Sequence, residues 1–221
     1  MNAARPASPG EGVKERIITD RAGIAEGTAY LARRCPRMAH AISLVDEVPL
    51  RWRGDGFEAL LGAIVSQQVS VAAATSMWNK LEAELGEEMH ARELLARDFD
   101  TLRACGLSRQ KQGYARSLCE LVAGGELDIE NLPADDEEAI VELTRIKGIG
   151  RWSAEIYLLF AEGRQDIWPA GDLAVQEAVG RLLELPARPS EKETRALGDR
   201  WRPYRGAMAI FTWHTYNNAA L

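Results

Sequence analysis

Cysteine is scarce in this chain and widely spaced: three among 221 residues, at Cys35, Cys105 and Cys119, with no C-x-x-C pair. That excludes a C-x-x-C zinc site and a four-cysteine cluster, and the three thiols are expected to be reduced and buried. No apolar run is long enough to span a bilayer. Residues 1–13 are rich in Pro, Ala and Gly and carry no apolar signal-peptide core, so we read them as a disordered tail and expect a cytoplasmic protein. An excess of positive charge is also missing. Lys and Arg number 27 against 33 Asp and Glu, a net charge of −6, which argues against broad electrostatic binding of nucleic acid. Without an internal repeat, a helical-repeat scaffold is not expected either.

What is present is a chain 46% hydrophobic, enough for one compact unit or two small lobes. Charge is unevenly spread along it. Acid is dense over 82–93 and 128–142; base gathers at Arg109 and Lys111, over 145–151 and over 200–205. Apolar spacing predicts helices over 16–34, 38–45, 57–65, 71–85, 91–96, 99–105, 111–123, 136–146, 151–161, 173–183, 191–201 and 204–216, joined by short loops carrying Gly, Pro, Ser or Asn. Only 48–51 reads as a strand fragment. The expected class is all-α.

The most informative stretch is 143–157, LTRIKGIGRWSAEIY, followed by 168–173, WPAGDL. Ala139, Ile140, Leu143 and Ile146 share one helix face. Gly148 and Gly150 then break the helix, and apolar spacing resumes from Ala154. Glycine accepts positive φ and lets another backbone approach closely. The new helix directs its first N–H groups back into the turn, and a helix N-terminus attracts anions without any side chain. Arg145, Lys147 and Arg151 add charge around it. Asp172 stands about twenty residues further on, at the start of another helix. On its own it is a preferred N-cap, worth about 1 kcal/mol; beside a phosphate-gripping hairpin it is also a candidate for chemistry.

The hairpin at Leu143, Gly148, Ile149, Gly150 and Ala154, with the loop at Pro169, Gly171 and Asp172, resembles the helix-hairpin-helix DNA glycosylase superfamily, and within it the 3-methyladenine DNA glycosylase II (alkylation-repair) branch. Residues 57–70 (FEALLGAIVSQQVS) resemble that branch's first core helix and Ser-Gln-Gln loop. Residues 106–114 (GLSRQKQGY) are similar to its Gly-x-Ser-x-x-Lys turn, and 201–205 (WRPYR) to its C-terminal signature. The resemblance covers roughly 57–213, with four motifs in the family's order.

This resemblance implies two helical lobes with the hairpin at the cleft between them. A central bundle would span 57–161, with the hairpin at 137–160; helices of 14–56 would pack with the C-terminal lobe, 162–221. It implies a monofunctional glycosylase that hydrolyses the N-glycosidic bond of alkylated purines (3-methyladenine and 7-methylguanine type) in double-stranded DNA, acting as a monomer. Asp172 would be catalytic, Trp152, Trp52, Trp168 and Tyr204 would form the base pocket, and Gln67 or Gln68 would enter the DNA. Lys147, Gly148, Gly150 and Arg151 would face phosphate. No cofactor is implied, save a monovalent cation (sodium or potassium) on the main-chain carbonyls of Thr144, Ile146 and Ile149 when DNA is bound. Strand-cutting relatives carry a hairpin lysine where this chain has Trp152, and no cysteine follows Cys119 to build the iron–sulfur cluster of other relatives. Two alternatives stay open: a non-catalytic module that only binds damaged DNA, and a lyase using Lys147.

Overall fold

A computed structural model describes residues 21–45, 48, 56–86 and 88–216. The expected tail at 1–13, the strand fragment at 48–51 except Val48, and Trp52 lie outside the described residues. Helices follow one another throughout: α1 Arg21–Arg34, α2 Pro36–Ser43, α3 Gly56–Ser66, α4 Val71–Leu85, α5 Ala91–Ala96, α6 Phe99–Ala104, α7 Arg109–Ala123, α8 Asp136–Thr144, α9 Arg151–Phe160, α10 Leu173–Leu182, α11 Glu191–Gly198 and α12 Arg205–Thr215, with a 3-10 turn at Asp199–Trp201 before α12. No strand forms among the described residues. None of the described helices is long and apolar enough to cross a membrane.

Boundaries follow the caps. Ser70, Asp98, Ser108, Asp135 and Ser190 each accept backbone N–H bonds at the start of the helix they precede, satisfying donors that the first turn leaves orphaned. Ser108 starts α7 at Arg109 rather than at Lys111, because its Oγ accepts from the Lys111 N–H. Pro36 opens α2 earlier than apolar spacing alone suggests, its fixed φ suiting the first helical position. The helix expected over 191–201 tightens to a 3-10 turn for its last three residues.

The helices pack in two groups. In one, α3 meets α4, α7 and α9; α7 also meets α5 and α6, and α8 meets α9. In the other, α12 meets α1 and α10, α1 meets α2, and α10 meets α11. Leu60, Leu61, Ile64, Leu118, Leu143, Ala154 and Leu158 are buried in the first, and Ile24, Leu31, Val179, Met208 and Phe211 in the second. Burying one such side chain contributes about 1.5–3 kcal/mol. The α8–α9 hairpin and the loop leading into α10 lie where the two groups approach, Trp152 of α9 bonding to Asp172 at the start of α10.

Candidate active site

The hairpin turn is built by backbone and one aromatic ring. Ile149 N–H donates to the Ile146 carbonyl at 3.0 Å, and Lys147 N–H to Ser117 Oγ at 3.1 Å. Gly148 has φ of +84° and lies flat on Tyr114, whose ring would stand 2.3 Å from any added Cβ. A side chain there is excluded on both counts. Gly150, the N-cap of α9, differs: its backbone is extended, no side chain caps the helix, and nothing lies within 4 Å of where its Cβ would be.

The cations around this turn are fewer than their number in the sequence implies. Arg145 pairs with Glu126 and Glu142, and Arg151 with Glu137 and with the buried Glu155. Arg151, expected to face phosphate, has its guanidinium turned to carboxylates. Arg202 and Arg205 likewise converge on Asp166, and Arg202 also pairs with Asp199, so two carboxylates offset part of the basic cluster at 200–205. Lys147 is exposed and has no ion pair among the described residues.

Gln67 and Gln68 sit opposite, in the loop between α3 and α4. Gln67 Nε2 donates to the Gly148 carbonyl at 2.9 Å, tying this loop to the hairpin. Gln68 is exposed and holds φ of +55°, a strained conformation for a residue with a side chain. Strain of this kind concentrates at functional positions. Below them Lys111, buried by neighbouring helices, donates Nζ to the Val65 carbonyl at 2.6 Å and so caps the C-terminal end of α3. Desolvation holds its ammonium below its ordinary pKa.

A cavity of about 870 Å³ opens between these elements, lined among others by Gln67, Gln68, Lys111, Tyr114, Trp152 and Phe160. This lies within the range of small-molecule sites. Trp152, Ile156 and Phe160 follow one another at four-residue spacing along α9 and share its cavity face, as helical geometry requires. Trp213 of α12 stacks on Phe160 from behind, centroids 5.4 Å apart.

Of the four aromatic residues expected at the pocket, the structure puts Trp152 there, 49% exposed. Trp168 is placed elsewhere: it is buried, its indole N–H donates to the Thr194 carbonyl at 2.9 Å, and its ring packs on Trp201. Tyr204 is also buried, its hydroxyl 2.5 Å from Glu26 Oε1 and its ring against Tyr30. Both brace the second helix group, because a large ring between helices gains more from burial than from solvent. Tyr114, Tyr157 and Phe160 are the cavity-lining aromatic residues the sequence reading missed. The four-residue step from Trp152 is the signal that leads to Phe160.

Asp172 is the N-cap of α10. Its Oδ1 accepts from Ala174 N–H at 2.9 Å and Val175 N–H at 3.1 Å, and its Oδ2 accepts the Trp152 indole N–H at 3.0 Å. The two helix N–H bonds thus fall on one oxygen and the indole bond on the other. Three donors fix the carboxylate's plane, and Oδ2 keeps a lone pair for a further partner. Asp172 is half-buried and stands outside the cavity lining, one hydrogen bond away through Trp152.

A helix-hairpin-helix turn, an aromatic cavity and one fixed aspartate meet where the two helix groups approach. The chain belongs to the HhH-GPD superfamily of base excision DNA repair proteins, whose family model matches residues 61–203. It is 33% identical over 165 residues to DNA-3-methyladenine glycosylase 1 of Schizosaccharomyces pombe, covering 72% of each chain. Its fold is similar to that of a DNA-3-methyladenine glycosidase from Bacillus halodurans, with TM-score 0.78 and 29% identity, covering 88% of this chain and 89% of that one. It is also similar to the S. pombe 3-methyladenine DNA glycosylase in complex with abasic DNA, with TM-score 0.74 and 29% identity, covering 89% and 98%.

Proposed function

We propose that this protein is a monofunctional DNA glycosylase that hydrolyses the N-glycosidic bond of alkylated purines in double-stranded DNA, the first step of base excision repair. The observation that carries this reading is the Asp172 carboxylate, held by two helix N–H groups and by the indole of Trp152, which lines an aromatic cavity. Relatives named for 3-methyladenine excision support the substrate class.

Chemistry on a base requires it to leave the stack. In this reading Gln68, strained and exposed, would enter the gap, and the cavity lined by Trp152 would receive the base. An alkylated purine carries positive charge, which favours stacking on an electron-rich indole face by about 0.5–2 kcal/mol. Such a base departs readily without a general acid. As it leaves, the sugar gains oxocarbenium character, and a fixed carboxylate beneath it stabilises that charge and orients a water. Trp152 occupies the lysine position of strand-cutting relatives, so water is the nucleophile and an abasic site the product.

In this reading the protein acts as a cytoplasmic monomer. Gly148, Gly150 and Lys147 meet the phosphates through backbone N–H groups and one ammonium. A monovalent cation on the Thr144, Ile146 and Ile149 carbonyls would join the turn to a phosphate. The Ile146 carbonyl accepts from Ile149 N–H and would offer its second lone pair to the cation.

Base release from methylated duplex DNA tests the proposal. Wild type is expected to release 3-methyladenine, and Asp172→Asn to release it at least about 100-fold more slowly with DNA binding intact. Binding without release by either protein would instead leave a damage-binding module. A borohydride-trapped crosslink through Lys147 would make it a lyase.

A further inference from the structure

Behind the Trp152–Asp172 contact lies an ionic circuit centred on one buried carboxylate, for which the chemistry above has no use. Glu155, one turn along α9 from Arg151, is 2% exposed. Its Oε1 accepts from Arg151 Nε at 3.0 Å and from Arg195 Nη1 of α11 at 3.1 Å. Arg195 Nη1 also reaches the Trp168 carbonyl at 3.5 Å, at the root of the loop that ends in Asp172, and its Nη2 donates to Glu191 at 2.9 Å. Glu191 in turn packs over Gly171, its Oε2 standing 3.3 Å from where a Cβ would be. Arg151 carries the circuit on to Glu137 of α8. Burial pushes the Glu155 carboxyl above its ordinary value, against the pull of Arg195 and Arg151. A buried carboxylate costs stability unless its partners compensate for lost water, and an apolar side chain would fill that space more cheaply. Such a group defines a unique arrangement, and this one joins the helix bearing Trp152 to the loop bearing Asp172.

We infer that Glu155 is a positioning residue: through Arg195 and the Trp168 carbonyl it sets the 168–172 loop against α9, keeping the Trp152 indole and the Asp172 carboxylate in hydrogen-bonding register. The circuit is closed. It leaves α9 at Glu155, crosses to α11, enters the loop at Trp168, passes to Asp172 and returns to α9 at Trp152. Glu155 lies behind the site and acts through its neighbours. The inference rests on Asp172 as the reactive carboxylate, so the test needs a readout that does not depend on activity.

That readout is the ¹H–¹⁵N resonance of the Trp152 indole, assigned with Trp152→Phe. In Asp172→Asn it reports the altered acceptor directly. Glu155→Gln is expected to move it toward that position and leave the resonances of the other tryptophans largely in place. Single-turnover release of 7-methylguanine from a duplex is expected to slow between about 10- and 100-fold, as loss of alignment by a fraction of an ångström does. Affinity for an abasic duplex should be unchanged, because the DNA-facing glycines and Lys147 are untouched. Arg195 is one-third exposed, so Arg195→Gln breaks the same circuit from a site more tolerant of change and keeps the test readable if Glu155→Gln does not fold. An unmoved indole resonance in a folded variant overturns the inference. Release and binding that decline together with the folded fraction overturn it too, since Glu155 would then be structural alone. Release by Asp172→Asn at the wild-type rate defeats the proposed chemistry instead, whatever the indole shows.

Discussion

Two helix N-termini face the candidate site and are finished in opposite ways. Helix α9 begins at Gly150, which has no side chain, an open surface and no cap. Helix α10 begins at Asp172, whose carboxylate accepts two of the helix's own N–H groups. Both ends carry the same partial positive charge. One is left for an anion from outside, and the other is occupied by an anion the protein supplies. A glycine at this position costs the fold a few tenths of a kcal/mol relative to a side-chain cap, which is sensible where a phosphate completes the cap. A filled end sets a carboxylate in place before substrate arrives.

The sharpest test of this contrast separates the two jobs of Asp172. Asn is as good an N-cap as Asp, whereas Ala is not. Both Asp172→Asn and Asp172→Ala are expected to lose at least about 100-fold in base release. Only Asp172→Ala should also lose about 1 kcal/mol of stability, seen as a lower Tm. Equal Tm losses in the two variants would mean that charge, rather than the cap bonds, holds the end of α10.

The two hairpin glycines come next, and they are predicted to fail differently. Gly148→Ala places a methyl group against Tyr114 at a φ of +84°. Left-handed backbone alone costs about 1–2 kcal/mol, so Tm should fall by about 5 °C or more. Gly150→Asp meets no obstacle, because its φ is −91° and its surroundings are open. It would finish α9 in the manner of α10, adding a few tenths of a kcal/mol as a cap. Its carboxylate would occupy the position proposed for a phosphate, so duplex affinity should drop by about tenfold, or 1.4 kcal/mol. A Gly150→Asp protein that binds DNA as wild type does would break the comparison, since the open end of α9 would then have no part in binding.

The contrast also marks what the sequence could reveal. Helix starts at Ser70, Ser108, Asp135, Asp172 and Ser190 are local chemistry and were legible at or within two residues of their positions. The Gly148/Gly150 turn and the Asp172 cap were legible for the same reason. Charge was less legible: Arg151 read as facing phosphate and Arg145 as free charge beside the turn, yet they have carboxylate partners up to 19 residues away. Aromatic roles divided similarly. Trp152 and its step to Phe160 lie on one helix, while the burial of Trp168 and Tyr204 depends on contacts with Thr194, Trp201, Glu26 and Tyr30 that no local pattern encodes. The Glu155 circuit was invisible because Arg195 lies 40 residues from its partner.

The smallest expected effect concerns the buried side of α9, opposite its open end. Glu155 faces Arg151 and, across the groove, Arg195 with Glu191; Glu137 of α8 approaches through Arg151. Burial raises the folded-state pKa of Glu155 above its unfolded value of 4.5. Folding therefore favours its protonated form, and an unfavourable contribution sets in as pH rises from the unfolded value through the folded one. Glu137 behaves oppositely: its hydrogen bond to Arg151 lowers its pKa, giving stability that is lost as pH falls. That contribution is shared by wild type and Glu155→Gln, so it cancels in their difference. The stability advantage of wild type over Glu155→Gln is expected to be largest at acid pH and to narrow toward neutrality, measurable as Tm of both proteins from about pH 4 to pH 8. An advantage that widens with pH would show that the two arginines outweigh burial, making the ionic side of α9 a source of stability and not only of alignment.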